Sequence, residues 1–283
     1  MKIKLILPFL FLLVSCSKDL NNIVTRDCSF PVHYPVPGGL VNISIENKER
    51  LDLNSILIEG NKPLICLSGN EISFFYPIKL ENTKESLEIT SNGSVIKSIF
   101  IKDKEYRESR ITIENKDLVQ APNKFASRIE KEYYLGLNAK NLRSPLLNQS
   151  LKMNFPIKEG IISSEYGVKR FINNKPRNRH KGMDIAAPKG TSILTPLDGK
   201  VILSGNFYYR GNIVFLDHGE GVISSYSHMD EVIAKQGEVL KKGEVIGKVG
   251  ETGRVTGPHL HWETYLLGQA INPSVFSKLI EDL

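Results

Sequence analysis

Five of the six histidines in this 283-residue chain fall between positions 180 and 261, and four of those have spacings that make chemical sense together. His259 and His261 sit in Pro258-His259-Leu260-His261-Trp262-Glu263-Thr264-Tyr265. Alternation along a strand sends residues i and i+2 to one face, so both imidazoles point the same way. Two imidazoles on one face make half a metal site, or one ligand beside a catalytic base. His180-Lys181-Gly182-Met183-Asp184 adds a histidine and a carboxylate four apart. Gly182 argues against a helix, which puts His180 on a loop and Asp184 at the start of a strand through Ile185. Two imidazole nitrogens and one carboxylate oxygen form a donor set that holds catalytic zinc with one coordination position open. Softer metals would prefer thiolates, and calcium or magnesium would want more oxygens. Water at an open position has its pKa lowered from about 15.7 to about 7, which gives a nucleophile at neutral pH.

His228 is the fourth, at the end of the strand-like run Val222-Ile223-Ser224-Ser225-Tyr226-Ser227-His228. By alternation Tyr226 and His228 share a face. Tyr226 could donate to a developing oxyanion, or be a buried tyrosine with a satisfied hydroxyl. His218 lies in the turn Asp217-His218-Gly219-Glu220-Gly221, and His33 stands alone beside prolines; both read as structural. The basic run Lys169, Arg170, Lys175, Arg177, Arg179 and Lys181 leads into the site and reads either as a solvated loop or as an attractor of substrate carboxylates.

The elements that must position these groups are mainly β. Between Val32 and Glu114 short alternating runs recur, including Leu40 to Ile45 and Leu87 to Thr90, with Asn92-Gly93 marking a tight hairpin before Val95 to Ile99. Such strands predict a β-sandwich-like domain over 31–115. Over 116–150 Phe125 and Ile129 stand four apart among charged residues, which predicts an amphipathic connector helix ending towards Gly136 or Asn138. Residues 151–283 return to short strands and glycine turns, a compact β domain. Within it Asp198-Gly199-Lys200-Val201-Ile202 echoes Lys242-Gly243-Glu244-Val245-Ile246, and the echo resembles the duplicated hairpins of lipoyl-type carriers.

The first residues read as an address. Lys2 and Lys4 precede the apolar run Leu5 to Val14, too short to span a bilayer but the length of an export signal's core. Leu13-Val14-Ser15-Cys16 resembles a bacterial lipoprotein cleavage box, which implies a signal peptide over 1–15, a lipid on Cys16 and a membrane anchor, with 16–30 as a tether. Ser17 after the cysteine favours the outer membrane, by resemblance to Gram-negative lipoproteins. Cys28 and Cys66 are left either as a disulfide or as two free thiols. The net charge of +6 falls to about +4 (6 minus 2) once Lys2 and Lys4 leave with the signal, which suits an anionic polymer or membrane surface without demanding one. No arginine-aromatic clusters point to nucleic acid.

The strings Arg179 to Pro188 and Gly253 to Glu263, with Gly211 to Gly219 and Tyr226-Ser227-His228 in order between them, resemble the lysostaphin/LytM-type zinc murein endopeptidases. The resemblance covers about residues 154–276; a looser similarity links the upstream segment to members with an N-terminal β domain. It implies one zinc per chain on His180, Asp184 and His261, with His228 and His259 flanking the water as base and donors. Tyr226 and Asn212 are implied as substrate contacts, and peptidoglycan cross-links as substrate, on the periplasmic face of the membrane. A regulatory protein partner also fits. The rival expectation is a cell-wall binding or activator protein, with a site held closed by the N-terminal domain.

Overall fold

The computed structural model describes residues 26–46, 51–114, 119, 121–145 and 147–277. The segment read as an export signal, including Lys2, Lys4, the Leu5 to Val14 run and Cys16, lies outside the described residues. Six strands build the N-terminal part: β1 (Leu40–Glu46), β2 (Leu57–Ile58), β3 (Leu64–Ser68), β4 (Glu71–Pro77), β5 (Ser86–Ser91) and β6 (Ser94–Phe100). They form two three-stranded sheets, ordered β1-β4-β3 and β2-β5-β6. Alternating residues Val41, Ile43, Ile72 and Phe74 of the first sheet meet Ile58, Leu87, Ile89 and Ile99 of the second. Each such buried side chain contributes about 1.5–3 kcal/mol. Asn92 and Gly93 take φ of 49° and 80°, the double left-handed turn expected of that hairpin.

The first sheet is apolar on its other face too, and this joins it to the rest of the chain. Leu40, Leu64, Cys66 and Phe75 belong to one continuous core with Met153, Ile157, Val275 and Phe276. A disulfide links Cys28 to Cys66, which decides between the two expectations for these cysteines. The tether expected over 16–30 does not extend to Phe30. Asp27 bridges Ser150, Arg26 pairs with Glu220 at 2.5 Å, and Phe30 is buried. Local polarity misses this, because the partners lie over a hundred residues away.

After β7 (Glu108–Ile111) comes α1 (Ala126–Lys140). The helix continues past Gly136 and Asn138, where propensity predicts its end. Ala139 is held in a cluster with Phe207, Ile213, Phe215 and Tyr265, and Asn141 Nδ2 donates to the Leu137 carbonyl at 2.8 Å. Packing outweighs the cost of a mid-helix glycine, about 1 kcal/mol.

The C-terminal part holds β8 (Ile161–Ser164), β9 (Lys169–Ile172), β10 (Lys175–Pro176), β11 (Met183–Ala186), β12 (Ser192–Leu194), β13 (Gly199–Phe207) and β14 (Gly211–Asp217). It continues with β15 (Val222–Val232), β16 (Val239–Leu240), β17 (Val245–Val249), β18 (His259–Leu266) and β19 (Gln269–Ile271). Ten of these strands make one sheet along the path β16-β13-β14-β15-β18-β11-β8, with β17 on β15, β12 on β17 and β19 on β18. Hairpin β9–β10 turns on Asn173 and Asn174, both left-handed, and β7 adds to it in parallel. The strand that leaves the N-terminal sandwich is thereby hydrogen-bonded to the C-terminal part.

Candidate metal centre

Strand β18 lies between β11 and β15, with His261 opposite Asp184 on one side and Ser227 on the other. His180 precedes β11 on a loop pinned by two backbone bonds, Gly167 N to His180 O and His180 N to Val168 O. This fold brings His180, Asp184 and His261 together with one ligand atom of each within 4.8 Å of the others. His180 Nε2 lies 3.0 Å from both Asp184 Oδ1 and His261 Nδ1, and the last two are 2.7 Å apart. A tetrahedral ion bound at about 2.0–2.1 Å keeps its ligands only slightly farther apart, so the donor set fits zinc in both chemistry and spacing.

Close approach of β11 and β18 depends on Gly182. A Cβ there would fall 2.6 Å from the Trp262 carbonyl oxygen and 2.7 Å from His261 Cε1. Second contacts fix each ligand's direction. His180 Nδ1 donates to the Glu165 carbonyl at 2.7 Å, leaving Nε2 for a metal. Arg170 Nη2 donates to Asp184 Oδ2 at 2.7 Å, so Oδ1 alone faces the imidazoles. Burial works to raise the Asp184 pKa, but the His180 and His261 rings against the carboxylate hold it well below the usual range.

His228 and His259 complete the cluster, with ring centroids 4.9 Å apart, and His228 stands 5.9 Å from His261. Both present the same nitrogen. Nδ1 of His228 donates to the Thr252 carbonyl and Nδ1 of His259 to the Gly257 carbonyl, each at 2.8 Å, so Nε2 is the free acceptor. Burial, with the neighbouring His261 and His259 adding to it, pushes the His228 pKa down to about 3 and keeps the ring neutral.

Strict alternation misplaces His228. Tyr226 packs in the core with Leu260 and Trp262, on the face opposite His259 and His261. His228 escapes that face because its φ is +65°, at the point where the pairing of β15 with β14 shifts register. A bulge of this kind re-aims a side chain. Tyr226 is therefore corrected as a substrate contact: it is fully buried, and its hydroxyl is 2.7 Å from Ser224 Oγ. Asn212 is half-buried and bonded within the fold. Its Nδ2 donates to the Met229 and Asp230 carbonyls and its Oδ1 accepts from Asn206, so it braces the bulge behind His228.

The basic run divides rather than forming one patch. Arg170 holds Asp184, Arg179 lies over the Tyr106 ring at 5.6 Å, and Lys181 pairs with Glu81 of the N-terminal part at 3.0 Å. His218 is buried between the Asp198 carbonyl and Ser224, and His33 accepts from Asn42 N; both hold structure. Sequence spacing does not single out Arg210, Thr252 or Glu263. Glu263 alone left a signal, two residues beyond His261 on the same face.

A two-histidine, one-carboxylate centre flanked by two further imidazoles on an antiparallel sheet defines a mononuclear metallohydrolase. The peptidase family M23 model matches residues 178–273. A Pseudomonas aeruginosa chain assigned to the M23 peptidases in its crystal structure is 30% identical, with TM-score 0.64, over 87% of this chain and 96% of that one. The chain belongs to peptidase family M23. Among curated relatives, peptidoglycan DD-endopeptidase ShyA of Vibrio cholerae is 42% identical over 93 residues, 33% of this chain and 22% of that protein. DD-carboxypeptidase/endopeptidase Mpg of Neisseria meningitidis is 42% identical over 112 residues, 40% of this chain and 26% of that protein. The chain thus spans about a quarter of the length of these two relatives.

Proposed function

We propose that the chain is a zinc-dependent endopeptidase that hydrolyses the peptide cross-links of peptidoglycan in cell-wall remodelling or septation. One observation carries this reading: the Nε2 atoms of His228 and His259 are left free beside the cluster of His180, Asp184 and His261. Bound zinc supplies Lewis acidity, polarising a carbonyl and lowering the pKa of water to about 7. His228, neutral and anchored through Nδ1, accepts the proton of the attacking water at Nε2. The same nitrogen then returns a proton to the leaving amine. His259, when protonated, donates from Nε2 to the oxygen on which negative charge gathers. The relatives named for peptidoglycan support the substrate, and the lipoprotein reading adds a D-alanyl bond to a diamino acid as the scissile link.

The same reading makes this an exported lipoprotein anchored to a membrane, the outer membrane by the Ser17 rule, through a lipid on Cys16. The residues Lys2, Lys4, the Leu5 to Val14 run and Cys16 support it. Peptidoglycan and the membrane are then its partners, beside a protein that regulates access to the site.

The test is digestion of purified peptidoglycan by the full chain, with products identified by mass. Cleavage should stop with a chelator and return with zinc. His180→Ala should lose the metal, whereas His228→Ala should keep it and slow by about 10²–10⁴-fold. Binding of the polymer without cleavage by the zinc-loaded chain would instead support the closed-site reading. Cys16→Ser should release the protein from membranes; continued membrane fractionation would refute the anchor.

A further inference from the structure

Behind His261 lies an ion pair, its carboxylate buried, that the reaction as described does not use. Glu263 is two residues beyond His261 on β18, with its carboxylate Oε1 3.5 Å from His261 Nε2. Nδ1 of His261 faces Asp184 and His180, so a metal held by these three would take Nδ1 and leave the ring's proton on Nε2, turned towards that carboxylate. Glu263 is held from behind by both ends of the Arg210 guanidinium, Nη2 to Oε1 at 3.0 Å and Nη1 to Oε2. Ser225 Oγ adds a bond to Oε2 at 2.8 Å. The Glu263 side chain is 4% exposed and that of Arg210 33% exposed. Arg210 also acts through its backbone, since its carbonyl accepts from His228 N at 2.9 Å. That bond fixes the residue whose left-handed φ turns the imidazole to the metal face.

We propose that Glu263 and Arg210 are positioning residues of the metal centre. The bidentate pair holds the carboxylate rigidly against Nε2 of His261 and so sets the angle at which Nδ1 meets the metal. Through its carbonyl, the same arginine fixes His228. Ligand and proton handler are thereby registered to one residue outside the ligand set. A bidentate fork suits this role because it fixes direction as well as charge, which a lysine does not. Carboxylates placed behind ligating imidazoles in this way raise ligand basicity and lock the ring.

This inference rests on the metallopeptidase reading, and the experiment separates the two. Zinc affinity of the full chain is measured by competition with a chromophoric chelator, alongside the visible spectrum of the cobalt-substituted protein. Glu263→Gln keeps the shape of the side chain and should weaken zinc binding roughly 10–100-fold with a shifted cobalt spectrum. Arg210→Lys keeps the charge but loses the fork, and should weaken binding at least about threefold even if Glu263→Gln does not fold. Because Arg210 acts on the ligand through Glu263, adding Arg210→Lys to Glu263→Gln should cost little more than Glu263→Gln alone. Wild-type affinity and an unchanged cobalt spectrum in both single variants would overturn the proposal, as would additive losses in the double variant. Failure of the wild-type chain to bind zinc would overturn the metal-centre reading itself.

Discussion

Replacing Gly211 by alanine should slow the enzyme without emptying its metal site. Gly211 has φ of +62° and sits between Arg210, whose carbonyl holds His228, and Asn212, which braces the bulge. A Cβ added there would fall 2.2 Å from Thr252 Oγ1 and 2.4 Å from the Thr252 carbonyl carbon. Ordinary contact begins near 3.4 Å, so the Thr252 backbone must retreat by about 1 Å. Thr252 is the anchor of His228: its carbonyl accepts from Nδ1, and its hydroxyl accepts from Asn212 N and donates to the Met229 carbonyl. Left-handed backbone costs an alanine about 1–2 kcal/mol, and a misplacement of about 1 Å near the chemistry can cost about 10²-fold in rate. The expected result is kcat on a cross-linked peptide lowered about 100-fold, with zinc affinity within about twofold of wild type. Rates from single-turnover digestion and affinity from chelator competition check the two halves. A kcat within about threefold of wild type would refute the claim that Thr252 positions His228, and a parallel loss of zinc would show general damage instead.

Three further outcomes follow from the same geometry. Gly182→Ala should have the opposite signature, lowering zinc affinity at least about tenfold because the new Cβ forces β18 and His261 away from β11; an unchanged affinity would count against it. Cys28→Ala with Cys66→Ala removes a cross-link between residues 38 apart and should lower unfolding free energy by about 4 kcal/mol in urea titration, with a loss below about 1 kcal/mol contradicting the loop-entropy argument. His218, whose pKa burial pushes down to about 4, stays neutral in the folded chain while the unfolded chain protonates near 6.5. The unfolded state therefore binds more protons between these values, and this part of the stability is present above pH 6.5 and lost as pH falls through 4. Comparing wild type with His218→Asn, the stability difference should shrink by about 3 kcal/mol across that window; a pH-independent difference would sink the assignment.

The site was legible where local rules decide it. The H-x-H spacing placed His259 and His261 on one face because β18 is a regular strand, and Gly182 kept His180 off a helix. The sandwich strands near Leu40, Leu87 and Val95 appear where period-two alternation sets them. The face of His228 was not legible, since one left-handed residue overrides alternation, and nothing in the local string shows it. Arg210, Thr252 and Glu263 gain their meaning from partners 18 to 53 residues away, Thr252 from His228 and Arg210 from His228 and Glu263. Helix α1 outlasted its expected end because Ala139 finds a hydrophobic cluster that propensity cannot see.

The early segment around Arg26 to Val32 has a consequence for synthesis. Arg26 finds Glu220, Asp27 finds Ser150, and Val32 N donates to the Val275 carbonyl at 2.8 Å. Leu40 and Phe75 of the sandwich share their core with Phe276. A chain made from its N-terminus cannot bury these groups until residue 276 has been translated. The contact order is high, so folding should be slow, with the apolar outer face of the sandwich exposed until residues 275 and 276 can pack. Truncation before residue 276 should therefore destabilise the N-terminal sheet, although every strand of that sheet remains in the polypeptide.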